Sequence, residues 1–181
     1  MADNLTLESK KVLCDMINRN NVESGSSLTP ELVDFGIPSQ SNDAKNTDIT
    51  VIAKSGSGYT GQEVINYNRL HLTTEIGNPY VASAVGRNLI FPIGEALKIA
   101  DIVPAINARL AINLQAADFT DGDLPEFTGT PNEILDVQLL VKADSLCYRG
   151  SLTFQLKAED ILLSTVIVNK VMDGLTYQPP A

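Results

Sequence analysis

His71 is the one histidine among the 181 residues, so acid–base chemistry near neutral pH would centre on it. A histidine base needs a positioned partner, such as a nucleophile or a carboxylate that orients the ring. Cys14 and Cys147 lie far from His71 in the sequence, and these three residues do not have the spacing of zinc ligands. We therefore expect no enzyme activity, no catalytic residue and no metal site, and we assign His71 to the end of a strand.

A second candidate is the glycine-rich stretch Gly56-Ser57-Gly58, which resembles part of a phosphate-binding loop. A P-loop continues with Gly-Lys-Ser/Thr, whereas Tyr59 follows here. The sequence also has no Gly-x-Ser-x-Gly nucleophile elbow. The stretch is typical of a hairpin turn, and we predict no cofactor.

Carboxylates form the third candidate. They cluster around Gly122, and the set is Asp118, Asp121, Asp123 and Glu126. Their spacing does not match an EF-hand loop, so a solvated acidic loop is the favoured interpretation. The alternative function is a soluble ligand-binding or cell-surface-binding module that uses this loop. The pair Glu159-Asp160 could serve a glycosidase, but the chain has no tryptophan for a sugar platform.

The charge balance excludes further classes of partner. The chain has 22 acidic and 13 basic side chains and a formal net charge of −9. Nucleic acids and anionic membranes are bound by clustered Lys and Arg, so neither is an expected partner. The N-terminal residues lack the order of a signal peptide, and no apolar run reaches the length of a membrane span. In a reducing cytoplasm, Cys14 and Cys147 are expected to be free thiols.

Helical patterns precede each of two strand-rich regions. Apolar spacing predicts a helix from Leu5 to Asn18, and Thr29-Pro30-Glu31 predicts the start of a short helix that ends by Gly36. The segment 39–47 is expected to be a polar surface loop. In the second half, residues 94–110 form the best helical region, with Pro104 predicted to split or kink it and Asp101 as a candidate cap.

Two β-hairpins are predicted from alternating apolar residues. The first has strands at 48–54 and 64–70, and the second has strands at 136–142 and 152–156, while 118–131 is predicted to be an acidic loop. In the first hairpin, one face of the outgoing strand carries Ile49, Val51 and Ala53. In the second hairpin, one face of the outgoing strand carries Val137, Leu139 and Val141, and one face of the return strand carries Leu152, Phe154 and Leu156. A further strand is predicted at 164–171.

The two hairpins repeat the same anchor residues at an offset of 88 or 89 positions. The matched pairs are Asp48 and Asp136, Lys54 and Lys142, Tyr59 and Tyr148, and Gly61 and Gly150. The sequence thus predicts an α+β fold with a duplicated helix-plus-hairpin unit, in which short helices pack on antiparallel sheets. The units are 1–80 and 81–181, either as two subdomains or as one pseudo-symmetric domain.

One stretch resembles a known family. The resemblance lies in three places, which are Asn46-Thr47-Asp48, the motif Gly56-Ser57-Gly58-Tyr59-Thr60-Gly61, and Tyr67-Asn68-Arg69-Leu70. In these places the chain resembles virion structural proteins of large tailed bacteriophages. His71 stands where the family pattern has Asp. The resemblance covers the first 75 residues and implies a component of the virion with no catalytic residue to carry over.

The function expected from the sequence is therefore assembly onto the head or tail lattice, with decoration, neck and tail positions left open. Its partners would be copies of itself and other virion proteins. The candidate assembly contacts are Tyr59, Gly61, Tyr67, Asn68 and Arg69, because Tyr and Arg are favoured interface anchors. The alternative is that Tyr59 and Tyr148 fill the core of each hairpin. We expect the second hairpin to support the core and the first to meet a neighbour through Tyr67 and Arg69.

Overall fold

The computed structural model of the protein describes residues 3–77, 89–128 and 133–158. Helices and antiparallel sheets both occur in these ranges, which confirms the predicted α+β class. The α-helices are α1 (Ser9–Asn20) and α2 (Ile99–Leu110), and there is also a 3-10 helix at Val22–Ser24 and a π-helix at Leu72–Gly77. The strands are β1 (Val33–Phe35), β2 (Ser39–Gln40), β3 (Thr47–Ala53), β4 (Gln62–Tyr67), β5 (Leu70–His71), β6 (Ile90–Pro92), β7 (Phe119–Thr120), β8 (Ile134–Val141), β9 (Tyr148–Arg149) and β10 (Ser151–Lys157). The predicted strand at 164–171 and the unit boundary at 80/81 lie outside the described residues.

The first sheet is built around β3. Strands β1 and β2 pair antiparallel with successive parts of one edge of β3, and β4 pairs antiparallel with the other edge. The β3–β4 hairpin is the first hairpin predicted from the sequence. Ile49 and Val51 are buried and Ala53 is half-buried, so the predicted inner face is confirmed.

The second sheet has the strand order β6-β10-β8-β7. Strands β8 and β10 form the predicted second hairpin, and β7 pairs antiparallel with the outer edge of β8. Strand β6 pairs with the outer edge of β10 and runs parallel to it. Val137 and Leu139 on β8 are buried, as are Leu152, Phe154 and Leu156 on β10, which confirms this inner face too.

The anchor residues that repeat in the sequence make the same hydrogen bonds in both hairpins. The Lys54 backbone N–H donates to Leu32 O at 3.0 Å and its Nζ donates to Pro30 O at 2.8 Å. In the second hairpin, the Lys142 N–H donates to Asp118 O at 2.8 Å and its Nζ to Ala116 O at 2.9 Å. Each lysine thus lies at the end of its hairpin's first strand and holds the segment that precedes an edge strand. That edge strand is β1 in the first unit and β7 in the second.

Cross-strand polar pairs repeat as well. Asn66 Nδ2 donates to Asp48 Oδ1 at 2.8 Å, and Gln155 Nε2 donates to Asp136 Oδ1 at 2.9 Å. The two residues of each pair lie directly opposite each other, in the β3–β4 register and in the β8–β10 register. Opposed polar pairs on a sheet face contribute about 0.2–1 kcal/mol each and help to set the register.

The predicted helix at Thr29-Pro30-Glu31 is wrong. This segment forms a turn, in which the Leu32 N–H donates to Thr29 O, and it continues into β1. The local signal for a helix start is overridden because Val33, Asp34 and Phe35 find partners on β3. In the polar segment 39–47, predicted as a loop, β2 forms and Thr47 is fully buried.

Pro104 does not split the predicted second helix. Helix α2 runs unbroken from Ile99 to Leu110, since proline's fixed φ is compatible with helical geometry and only one backbone hydrogen bond is lost. Asp101 has the predicted capping role, because its Oδ2 accepts the backbone N–H groups of Leu97 and Lys98 at 2.9 and 2.8 Å. The first helix begins at Ser9 rather than Leu5 and extends to Asn20.

Helix α1 is buried on more than one side. Its consecutive residues Val12, Leu13 and Cys14 belong to three different hydrophobic clusters. The largest cluster contains Val12 together with the inner face of the second sheet, and the other two lie beneath the first sheet. The helix therefore packs between the two hairpin units.

Candidate functional site

The residues of the predicted contact motif lie at the junction between the two units. Tyr67, the last residue of β4, is buried, and its hydroxyl donates to Leu146 O at 2.6 Å. Strand β5 follows at once and pairs in parallel with β9, and the Leu70 N–H donates to Cys147 O at 2.9 Å. The end of the first hairpin is thus joined to the start of the return strand in the second.

Arg69 makes the widest set of contacts at this junction. Its Nη1 donates to Ala143 O at 2.8 Å and to Ser145 O at 3.1 Å, and its Nε donates to Thr47 Oγ1 at 3.1 Å. Burial lowers the pKa of the Arg69 guanidinium and raises the pKa of the Tyr67 phenol. Both groups keep their donor protons at neutral pH, so the contacts persist there.

Asn68 and Asn46 complete the junction from the first-unit side. Asn68 Oδ1 accepts the Asn46 backbone N–H at 2.9 Å. The Asn46 side chain in turn accepts the Arg69 N–H at 2.9 Å and donates to Arg69 O at 3.0 Å. The motif Tyr67-Asn68-Arg69 therefore contacts the second hairpin of the same chain and the loop before β3, whereas we expected it to contact a neighbouring molecule.

Tyr59 and Gly61 lie apart from the junction, at the turn of the first hairpin. Tyr59 is half-buried, and its hydroxyl donates to Ser27 O at 3.5 Å. Gly61 is exposed with φ +86°, and a Cβ placed there would meet no atom of the described residues within 4 Å. By contrast, the matching Tyr148 is 1% exposed and fills the core, as the alternative interpretation of the tyrosines states.

His71 covers the second copy of this turn. A Cβ on Gly150 would lie 2.3 Å from His71 Nε2, so only glycine leaves room for the imidazole. Gly150 also has φ +82°, a conformation that side chains disfavour. The His71 backbone N–H donates to Glu75 Oε2, and its Nδ1 accepts the Thr74 N–H at 3.4 Å. These contacts are those of a packed structural residue.

Two of the four carboxylates in the acidic loop accept hydrogen bonds from other parts of the second unit. Asp118 is buried, and its two oxygens accept Ser145 Oγ at 2.7 Å and the Gln115 N–H at 3.0 Å. Asp121 Oδ1 accepts the Ala100 N–H at 3.0 Å. Within residues 3–77, 89–128 and 133–158, no three His, Cys, Asp or Glu side chains are grouped to hold a metal ion.

The two cysteines are buried, free thiols. Burial raises the pKa of Cys14 to about 11 and that of Cys147 to about 12. A thiolate is the reactive form of cysteine, and both groups are therefore inert near neutral pH.

Surface cavities flank the first sheet. One of about 490 Å³ lies between α1 and the end of β4, with Met16, Ile65 and Tyr67 among its lining residues. A second, of about 440 Å³, lies between the end of α1 and the Tyr59–Gly61 turn. Neither cavity could be predicted from the sequence, because each is formed by residues that are distant along the chain.

None of the described helices is long and apolar enough to cross a membrane. No curated protein and no solved structure matches the chain significantly. A family model, described as a family of unknown function (DUF7941), matches residues 2–180. Because this match covers nearly all of the sequence, the chain belongs to the DUF7941 family.

Proposed function

We propose that this protein is a non-catalytic structural component of a tailed-bacteriophage virion and acts by assembly with copies of itself and other virion proteins. The resemblance of the segment from Asn46 to Leu72 to virion structural proteins supports this proposal. The structural observation that carries it is a set of hydrogen bonds that polar side chains make within the described residues. Tyr67 and Arg69 use their side-chain donors to hold the two units together.

The junction supplies the clearest case. Tyr67 and Arg69 donate their hydrogen bonds to the main-chain oxygens of Leu146, Ala143 and Ser145, which leaves them unavailable for a substrate. The buried Asp118 is likewise bonded to Ser145 and Gln115. These contacts support a structural role in the proposal.

Mass spectrometry of purified phage particles tests the proposal. The protein is expected in particles purified through a density gradient, and a dissociated subassembly that retains it would assign it to the head, neck or tail. Hundreds of copies per particle would indicate decoration or a tube, and a ring-like number would indicate the neck or baseplate. Its absence from particles, with detection in the infected-cell lysate, would refute a virion role.

A further inference from the structure

The outer edge of β4 differs from that of its counterpart β10. In the second unit, β6 pairs with β10: Gln155 N donates to Leu89 O at 2.7 Å, and Ile93 N donates to Lys157 O at 3.1 Å. Among the described residues, no strand pairs with the outer edge of β4. Val64, in the middle of this strand, is 65% exposed. An edge with unpaired N–H and C=O groups is a template for an added strand.

A cavity lies beside this edge. In the second unit, Phe91 of β6 is buried against Phe154 of β10, with ring centroids 5.9 Å apart in an edge-on arrangement. The residue of β4 that corresponds to Phe154 is Ile65, which is half-buried and lines the cavity of about 490 Å³ between α1 and β4. This cavity could therefore receive an aromatic side chain from an added strand.

The chain contains a second sequence of the β6 type. Leu175-Thr176-Tyr177 repeats the order leucine, β-branched residue, aromatic residue of Leu89-Ile90-Phe91. The offset between the two is 86 residues, the same offset that relates Leu28 to Leu114, two residues whose backbones are held in the same way. The spacers are of similar length: 21 residues separate Tyr67 from Leu89, and 18 separate Leu156 from Leu175.

The contact between the two units is not reciprocal among the described residues. The chain after the first hairpin reaches the second unit twice, through β5 on β9 and through β6 on β10. A reciprocal contact would bring Ala158, the counterpart of Arg69, to the turn of the first hairpin. Instead, the Ala158 N–H donates to Glu133 O. His71 covers Gly150, whereas no described residue comes within 4 Å of a Cβ placed on Gly61. If the unmatched contact is made by a second copy instead, the interface is heterologous, and such interfaces form rings or open chains of copies.

We propose that Leu175–Tyr177 of one copy adds as a parallel strand to the outer edge of β4 in a second copy, with Tyr177 entering the cavity beside Ile65. The result is head-to-tail self-association, in which each copy both donates and accepts a strand. This inference goes beyond the proposed function, since it holds whether or not the protein is part of a virion.

Sedimentation of the purified full chain tests the proposal with one variant for each side. The donor variant carries Leu175→Asp and Tyr177→Asp. The acceptor variant is Asn66→Pro. Asn66 corresponds to Gln155, whose N–H donates to Leu89 O, and the β3–β4 register turns the Asn66 N–H away from β3. Wild type is expected to form species larger than a dimer as concentration rises. Each variant should associate at least about tenfold more weakly, whereas Tyr177→Phe should assemble normally. Asn66→Ala is the matched control, because it loses the same side-chain hydrogen bonds but keeps the backbone N–H.

Mixing the two variants separates exchange between copies from docking within one copy. The donor variant keeps an intact β4 edge and the acceptor variant keeps an intact C-terminal segment, so the mixture should form a 1:1 heterodimer and nothing larger. Monomeric wild type at high micromolar concentration, or assembly that neither variant weakens, would overturn the proposal. Monomeric wild type whose melting temperature falls in the donor variant would also overturn it, by assigning the segment to its own β4.

A binding measurement covers the case in which Asn66→Pro does not fold. A labelled peptide of residues 171–181 is expected to bind the donor variant, whose β4 edge is open. The same peptide with Tyr177→Asp should bind at least about tenfold more weakly. No binding, or equal binding of both peptides, would overturn the proposal.

Discussion

The side-chain amide of Asn18 hydrogen-bonds both polar groups of the Leu28 backbone, accepting its N–H at 2.7 Å and donating to its C=O at 2.8 Å. Asn107 holds Leu114 in the same way, at 2.9 and 3.0 Å. In each unit, an asparagine near the end of the helix thus fixes the chain that leads into the edge strand.

Replacing either asparagine with aspartate should destabilise the protein. The change puts a carboxylate oxygen against the Leu28 or Leu114 carbonyl and loses a partly buried hydrogen bond. Asn18→Asp and Asn107→Asp should each lower the free energy of unfolding by about 1–3 kcal/mol, measured by urea denaturation. Asn42→Asp, in an exposed loop, is the control and should change it little. Equal effects at all three positions would contradict this role.

Gly61 and Gly150 allow backbone strain to be separated from steric exclusion. Both have φ above +80°, so alanine at either position should cost about 1–2 kcal/mol. Only at Gly150 would the new Cβ also collide with the His71 ring. Gly150→Ala should therefore lower the melting temperature clearly more than Gly61→Ala does.

A second substitution tests the cause of that difference. In the double variant Gly150→Ala, His71→Ala, the ring is gone and the collision is relieved. The double variant should be more stable than additivity of the two single changes predicts. Strict additivity would show that His71 does not press on Gly150.

Substitutions at the junction should reduce stability directly. Tyr67→Phe removes the hydroxyl that donates to Leu146 O and leaves that carbonyl without its partner. A loss of about 1–2 kcal/mol in the free energy of unfolding is expected. The control is Tyr59→Phe, whose hydroxyl makes only a 3.5 Å contact with Ser27 O and should matter little.

Arg69 provides the charged counterpart of this test. Arg69→Lys keeps the charge but cannot reach Ala143 O, Ser145 O and Thr47 Oγ1 together, because lysine carries one nitrogen instead of a planar fork. We expect Arg69→Lys to destabilise nearly as much as Arg69→Ala in thermal unfolding. Full rescue by lysine would show that only the charge matters.

Stability should fall as the pH rises from about 9 towards 11. Burial raises the pKa of the Cys14 and Cys147 thiols in the folded state, so the unfolded chain loses these protons first. The stabilising contribution is present in full below the ordinary thiol pKa and is lost as pH rises through the folded-state value. Each group contributes a slope of up to about 1.4 kcal/mol per pH unit.

Chemical denaturation at pH 8, 9 and 10 measures this slope. The double variant Cys14→Ala, Cys147→Ala should show a shallower fall over the same range, although it is less stable at pH 8. The buried Tyr67 and Tyr148 phenols, whose pKa values are also raised, account for the remaining slope. An identical slope in wild type and variant would exclude the thiols as its source.

The two hairpins could be predicted from the sequence, but the short strands that pair with their edges could not. Strands β3, β8 and β10 alternate with period two over seven or eight residues, which is a strong local signal. Strands β1, β6 and β7 have two or three residues each and exist because a neighbouring edge binds them. A tertiary partner of this kind leaves no periodic trace in the sequence.

The junction was missed for a related reason. Tyr67 and Leu146 are 79 residues apart, and nothing in either local sequence indicates that they meet. A usable signal did exist for the repeated asparagine contact. The dipeptides Ile17-Asn18 and Ile106-Asn107 each stand near a helix end and are each followed by an anchored leucine.

The parallel pairing of β5 with β9 also bears on synthesis of the chain. When Leu70 and His71 leave the ribosome, their partners Tyr148 and Arg149 have not yet been translated. Tyr67 and Arg69 likewise wait for the carbonyls of residues 143–146. The first hairpin can pair its own strands early, but its end stays unsatisfied until residues 143–149 have been made. The junction between the two units therefore forms only after the second hairpin's turn has left the ribosome.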